Sequence, residues 1–249
     1  MALEPWRMGK VIRIEDEAFN TKRFWIEIPE VEHFDFKAGQ FITLDLPIHE
    51  QKNKRWRSYS IASWPDHTNV IELLIVFLEG GLGTTYFFNE VKVGTELTLR
   101  GPQGVFTLPD QIDKDLFLIC TGTGIAPFRS MLNYIKLHSI PHEKLYLIFG
   151  CRTTKDLLYF DEMKQLEQEL DNFVFMPTLS REDWDGRRGY VHNLYEEICK
   201  NNQSGSEGLI QNKPACFYLC GWKAMVDDAK HKIIEMGYDR KSVHLELYG

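Results

Sequence analysis

The chain has 249 residues, enough for one large or two small domains with apolar cores, and its 43% hydrophobic and 26% charged content excludes a disordered or fibrous polymer. A formal charge of -7 argues against sequence-independent nucleic-acid binding, although Lys52, Lys54, Arg55 and Arg57 form one basic cluster. The longest apolar stretch, Leu73 to Leu78, falls far short of the ~20 residues a membrane helix needs.

Met1 to Lys10 alternates polar and apolar residues without the apolar run of a signal peptide, which predicts a cytoplasmic protein. Five cysteines (Cys120, Cys151, Cys199, Cys216, Cys220) are scattered, with no Cys-x-x-Cys pair, so free thiols and no metal are expected.

From Lys10 to Arg100, short runs of Val, Ile, Phe, Leu and Thr alternate with Gly, Pro and Asn, predicting strands at Val11 to Arg13, Arg23 to Ile28, Gln40 to Asp45, Ser58 to Ser63, Val70 to Leu78 and Glu96 to Arg100. These suggest a small antiparallel β-barrel. After Gly101-Pro102-Gln103-Gly104 and the polar stretch Asp110 to Lys114 the rhythm changes. Apolar runs at Phe117 to Cys120, Leu145 to Phe149, Phe173 to Thr178, Cys216 to Leu219 and Val243 to Leu247 now alternate with helical patterns near Phe128 to His138, Phe160 to Leu170, Val191 to Lys200 and Lys223 to Met236. That is the pattern of a doubly wound α/β parallel sheet. The expected division is 1–109 and 110–249, with Asn201 to Glu207 as a mobile surface loop.

The sharpest motif is Thr121-Gly122-Thr123-Gly124-Ile125-Ala126-Pro127, between a buried strand and a helix. Its glycines permit a tight turn, Pro127 suits a first helical turn, and helix-start amides receive a pyrophosphate; simple chain reversal is the alternative. In Arg57-Ser58-Tyr59-Ser60-Ile61-Ala62-Ser63, alternation puts Arg57, Tyr59 and Ile61 on one strand face and Ser58, Ser60 and Ala62 on the other. A cation beside a ring suits a cofactor with a pyrophosphate and a planar group, and equally an ordinary barrel strand with a snorkelling Arg.

Gly80-Gly81-Leu82-Gly83-Thr84 reads as a Gly-rich turn into a short helix capped by Thr84, or as a hairpin turn. Cys220-Gly221-Trp222 ends a parallel strand, the edge where ligands of such sheets bind, or is simply a small buried Cys followed by a turn Gly. Glu246 and Tyr248 share one side of a terminal strand, and Gly249 follows the ring.

In order and spacing, Arg-x-Tyr-Ser, the Gly-rich turn with Thr84, Gly-Pro-x-Gly, Gly-Thr-Gly-Ile-Ala-Pro, Cys-Gly and Glu-x-Tyr resemble the ferredoxin-NADP(+) reductase family over nearly the whole chain. The resemblance implies a barrel for FAD, an α/β domain for the pyridine nucleotide, and hydride transfer between them with no general acid or base. Arg57 would neutralise the FAD pyrophosphate, Tyr59 pack on the flavin with Ser58 beside it, and Ser60 place its hydroxyl where hydride arrives. Gly81, Gly83 and Thr84 would hold the pyrophosphate from the opposite side.

Thr121, Gly122, Thr123 and Gly124 would carry the dinucleotide, with Cys220 and Gly221 framing the nicotinamide and Glu246 and Tyr248 completing the site. Plant-type members stop at the ring, one residue short of this chain. Ser180, Arg181, Arg188 and Tyr190 resemble the pocket for the 2'-phosphate of NADP(H); Glu182, Asp183 and Asp185 in the same loop would suit the free 2'-hydroxyl of NAD(H). The implied partner is ferredoxin or flavodoxin, docking near Lys52, Lys54 and Arg55. Alternatives are an NAD(P)H flavin reductase or diaphorase, an oxygenase reductase component, and a non-enzymatic nucleotide-binding module.

Overall fold

The protein is described from a computed structural model covering residues 4–204 and 211–248. It divides into two compact units, one of residues 1–108 and 126–138, the other of residues 109–125 and 139–249.

The first unit contains an antiparallel sheet of β1 (Trp6–Ala18), β2 (Thr21–Glu27), β3 (Phe41–Asp45), β4 (Trp56–Ser60), β5 (Val70–Val76) and β6 (Glu96–Gln103), with α1 (Leu82–Asn89) between the last two. The strand order is β4-β3-β6-β1-β2-β5. Two register shifts interrupt β1, after Val11 and after Asp16, and such bulges bend and twist a strand. The ends of the sheet meet through a bridge from Ile61 to Leu73 and a 2.8 Å bond from the Ala62 amide to the Glu72 carbonyl. That closure makes the sheet a barrel. Phe24, Ile26, Ile42, Leu44, Leu73 and Leu99 fill its core. Phe87 of α1 joins them, 5.0 Å from the ring of Phe24, so the short helix is held by packing.

The second sheet takes β7 (Asp115–Thr121), β8 (Leu145–Cys151), β9 (Phe173–Leu179), β10 (Arg187–Arg188), β11 (Ala215–Trp222) and β12 (Val243–Tyr248). All are parallel, in the order β10-β9-β8-β7-β11-β12. The helices are α2 (Ile125–Leu137), α3 (Phe160–Glu169), α4 (Val191–Asn201) and α5 (Lys223–Glu235); residues 126–138 group with the first unit. Leu116 to Cys120 of β7 are fully buried, as a central strand covered on both faces requires. The order in which successive strands are added reverses between β7 and β11, and sheets of this kind bind ligands beyond the strand ends at such a switch point.

Two local expectations are corrected. Asn201 belongs to α4, and Ser204 is bridged to Gln211; residues 205–207 of the expected loop lie outside the described residues. Thr84 does not cap α1: Gly81 holds the cap position and Thr84 sits inside the first turn. Its hydroxyl instead accepts from the Leu78 amide and lies 3.1 Å from the carbonyls of Leu78 and Gly81, tying the loop before the helix. No helix among the described residues is long and apolar enough to cross a membrane.

Candidate active site

In the first unit, β4 and α1 bring Arg57, Tyr59, Gly81, Gly83 and Thr84 together. Strand alternation turns Arg57 and Tyr59 toward α1. The Tyr59 ring lies 5.6 Å from that of Phe87, and burial pushes its phenol up to about 12, against the opposing pull of Arg57. The Arg57 stem crosses Gly83 so closely that a Cβ there would stand 3.1 Å from Arg57 Cγ.

The guanidinium of Arg57 donates to the carbonyls of Lys54 at 3.0 Å and Trp56 at 2.7 Å, and has no carboxylate partner among the described residues. Helix geometry leaves the amides of Leu82, Gly83 and Thr84 without a carbonyl of their own helix. A cation and a helix start therefore lie side by side, as an anionic diphosphate requires. Ser60 is 4% exposed. Ser58 is committed sideways, its hydroxyl 3.1 Å from that of Thr43.

The basic cluster does not act as a unit. Arg55 pairs with Asp45 at 2.7 Å, which leaves Lys52 and Lys54, on a 3-10 turn, as its exposed cations.

In the second unit, Thr121 ends β7 and Gly122 to Gly124 form a 3-10 turn running into α2. Gly122 has φ +54°, with open space where a Cβ would stand. A Cβ on Gly124 would lie 2.4 Å from the Cys220 carbonyl, and one on Gly221 (φ +148°) would lie 2.4 Å from Thr121 Oγ1. The two turns interlock only as glycines, and Thr121 Oγ1 is buried with no hydrogen-bond partner among the described residues. Buried hydroxyls are ordinarily hydrogen-bonded, which singles this one out at the C-terminal end of β7.

Strand register sets Glu246 beside Cys220 and Tyr248 beside Trp222. Burial raises the Cys220 thiol well above its ordinary value; Glu246 and Cys120 add to this, and a side-chain hydrogen bond with Tyr248 opposes it.

Beyond β9, the Ser180 amide and hydroxyl both bond the Cys151 carbonyl, at 3.0 and 3.3 Å. Arg188 is held by Asp183. Glu182 is also engaged, accepting from the Thr154 amide at 2.7 Å and its hydroxyl at 3.0 Å. Arg181 is exposed without a carboxylate partner among the described residues, and Tyr190 lies 69% exposed at the start of α4. Arg152 was not anticipated: its carbonyl accepts from the Arg181 amide at 3.0 Å, and its exposed guanidinium likewise has no carboxylate partner among the described residues. The available signal was its position three residues after the predicted Leu145 to Phe149 strand, as Arg181 lies three after the predicted Phe173 to Thr178 strand.

Residues 8–108 match the oxidoreductase FAD-binding domain family and residues 118–231 the oxidoreductase NAD-binding domain family. The chain is 35% identical over 222 residues to a ferredoxin-NADP reductase B of Sorangium cellulosum, covering 86% of each chain. It is 28% identical to a phenol hydroxylase P5 protein of Acinetobacter pittii, covering 96% of this chain but 64% of that protein. A crystal structure of a ferredoxin NADP+ reductase from Neisseria gonorrhoeae with bound FAD and NADP superimposes with a TM-score of 0.79 at 25% identity, over 97% of this chain and 98% of that one. The chain therefore belongs to the ferredoxin-NADP(+) reductase family, as an oxidoreductase with an FAD-binding and an NAD(P)-binding domain.

Proposed function

We propose that the protein oxidises NADPH at FAD and passes the electrons singly to a separate acidic carrier of the ferredoxin or flavodoxin kind, in the cytoplasm. Residues 1–109 serve the flavin and residues 110–249 the nucleotide. The observation that carries the reading is Arg57: a guanidinium without a carboxylate partner among the described residues, seated on Gly83 at the start of α1. FAD, when bound, accepts an electron pair as hydride and can release it one electron at a time.

Arg57 and the first amides of α1 bind the FAD pyrophosphate, with Thr84 fixing the loop that presents them. Tyr59 gives the flavin an apolar wall and remains a neutral phenol. The Ser60 hydroxyl orients the hydride-accepting edge. Thr121 and the Gly122 to Gly124 turn hold the nucleotide pyrophosphate, and Gly221 lets the nicotinamide approach the backbone beside Cys220. Glu246 positions that ring from the neighbouring strand, beside Cys220. No residue is required to move a proton in the hydride step.

NADPH is preferred because Arg181 and Arg152 have no carboxylate partner among the described residues, whereas Glu182 and Asp183, two of the three carboxylates suited to a free 2'-hydroxyl, are occupied by Thr154 and Arg188. Lys52 and Lys54 supply the positive ground for an acidic carrier. A reductase serving an oxygenase is the second reading, favoured by the likeness to the phenol hydroxylase P5 protein.

The test is spectroscopic. FAD-loaded protein is expected to show bound-flavin absorbance that NADPH bleaches faster than NADH, and to reduce ferredoxin or flavodoxin faster than free flavin. Protein that takes up no FAD overturns the reading. Faster reduction of free flavin would reassign it as a flavin reductase.

A further inference from the structure

Arg129, in the second turn of α2, is 4% exposed and plays no part in the site described above. Its guanidinium donates to the Ala62 carbonyl at 2.8 Å and to the Glu72 carboxylate at 3.0 Å, and lies over the Trp64 ring at 5.2 Å. Glu72, 2% exposed, is gripped from its other side by Arg23, at 2.7 and 3.1 Å. Arg23 reaches on to Glu17 at 3.5 Å. Two cations and two anions thus form one balanced cluster inside the first unit.

The cluster closes on a particular stretch of backbone. Ala62 has its amide on the Glu72 carbonyl at 2.8 Å and its own carbonyl on Arg129. Next to it, the Ser63 hydroxyl accepts from the Glu72 amide at 3.0 Å. Both peptide groups of Ala62 are therefore fixed, two residues past Ser60. A buried ion pair is often no more stabilising than apolar side chains of the same shape, because desolvation offsets the attraction. What it supplies is a direction, and here the direction joins the end of the Ser60 strand to α2.

We infer that Arg129 is a positioning residue for flavin reduction: by clamping Ala62 to Glu72 and to α2, it holds Ser60 where hydride is received. The inference rests on the role proposed for Ser60. A displacement of about 1 Å at a reacting centre can cost ~100-fold in rate, and the clamp fixes the Ala62 carbonyl just past the end of this strand.

The experiment uses Arg129→Met, similar in length and uncharged, with Glu72 still neutralised by Arg23. In the apoprotein, amide exchange across residues 61–64 is expected to rise by about tenfold or more. In FAD-loaded protein, the limiting rate of flavin reduction by NADPH should fall about 10- to 100-fold, with the half-saturating NADPH concentration changed less than about threefold. In a Ser60→Ala background the same substitution should add little, since coupled residues are not additive.

A wild-type limiting rate, losses that multiply in the double variant, or a loss confined to half-saturation would each overturn the inference. If Arg129→Met does not retain FAD, Arg129→Lys decides: a slowed limiting rate at unchanged half-saturation supports the clamp, and an unchanged rate removes it. A wild type that is not reduced by either nucleotide overturns the proposed function and this inference together. A wild type that is reduced, beside a variant with the same rate, overturns this inference alone.

Discussion

Arg57 crosses Gly83 so closely that its Cγ and Nε lie 3.1 and 3.3 Å from where a Cβ on that glycine would stand, tighter than ordinary van der Waals contact. The contact makes Gly83→Ala a probe of the cofactor site, because effects on stability and on binding should have opposite signs. Alanine inside a helix gains ~1 kcal/mol over glycine, and a flexible Arg stem can move aside, so the apoprotein should unfold at the same temperature or higher. The displaced guanidinium should weaken FAD binding about 10- to 100-fold, the scale of one or two charge-assisted hydrogen bonds. Flavin fluorescence titration beside thermal melts checks both. An unchanged affinity would remove Arg57 from the pyrophosphate site.

Ser60→Ala deletes one hydroxyl at a position 4% exposed and leaves no cavity of consequence. FAD should remain bound with little spectral change, while the limiting rate of flavin reduction falls ~10- to 1,000-fold, as when a single donor is removed from other active sites. Rapid mixing with NADPH under anaerobic conditions measures it. Equal rates would leave Ser60 a barrel residue and nothing more.

Gly124 presents the opposite case to Gly83. A Cβ there meets the carbonyl oxygen of Cys220 at 2.4 Å and its carbon at 2.8 Å, and backbone cannot swing aside as a side chain does. Gly124→Ala should therefore cost ~1–3 kcal/mol of stability and abolish saturation by the nucleotide, while FAD binding by the barrel survives. Denaturant unfolding with parallel FAD and NADPH titrations tests the separation.

How much of this was readable beforehand follows from the reach of each interaction. Each of the six barrel strands overlaps an expected one, because short apolar and β-branched runs such as those of β2 and β5 need only local sequence, but the bounds differ: β1 spans Trp6–Ala18 where Val11 to Arg13 was expected, and β4 spans Trp56–Ser60 where Ser58 to Ser63 was expected. The two-residue β10 was not anticipated, since Arg187-Arg188 has no apolar periodicity and is a strand only by pairing with Thr178 and Leu179. The motif residues were named, but their partners were not. Asp45 neutralises Arg55 from the adjacent strand, Glu182 is taken by Thr154 from another loop, and Arg129 meets Glu72 across 57 positions. Each depends on the tertiary placement of separate elements, which one sequence does not expose. Thr84 was misread as a cap because Thr at a helix start usually is one, whereas here the Gly-rich loop needed its hydroxyl.

Nucleotide choice should depend on the loop cations that have no carboxylate partner among the described residues, Arg181 and Arg152. Arg181→Ala is expected to raise the half-saturating NADPH concentration ~10-fold or more, with NADH little affected, because only NADPH presents a dianion to a guanidinium. Arg152→Ala should act in the same direction. Arg188→Ala should do less, since that side chain is already held by Asp183. Steady-state kinetics with both nucleotides separates the three. Equal losses for NADPH and NADH in Arg181→Ala would place that residue outside the 2'-phosphate pocket.

The buried thiol of Cys220 gives the pH dependence its sign. Burial raises it well above its ordinary 9.0, with Glu246 and Cys120 reinforcing the shift. The folded chain thus keeps a proton that the unfolded chain releases above about pH 9. Stability from this group is complete below that value and is lost as pH rises toward the folded value, at no more than ~1.4 kcal/mol per pH unit. Tyr59, pushed up to about 12 by burial, adds to the loss above its ordinary 10.0. Flavin reduction should accordingly show no break between pH 7 and 9 from either group, and Cys220 should resist alkylation at pH 8 in the native state. Urea unfolding between pH 8 and 10.5 should show a shallower alkaline decline for Cys220→Ala than for the wild type. Parallel declines, or rapid alkylation of the native thiol, would mean that Cys220 titrates as an exposed group and does not line a dry nicotinamide site.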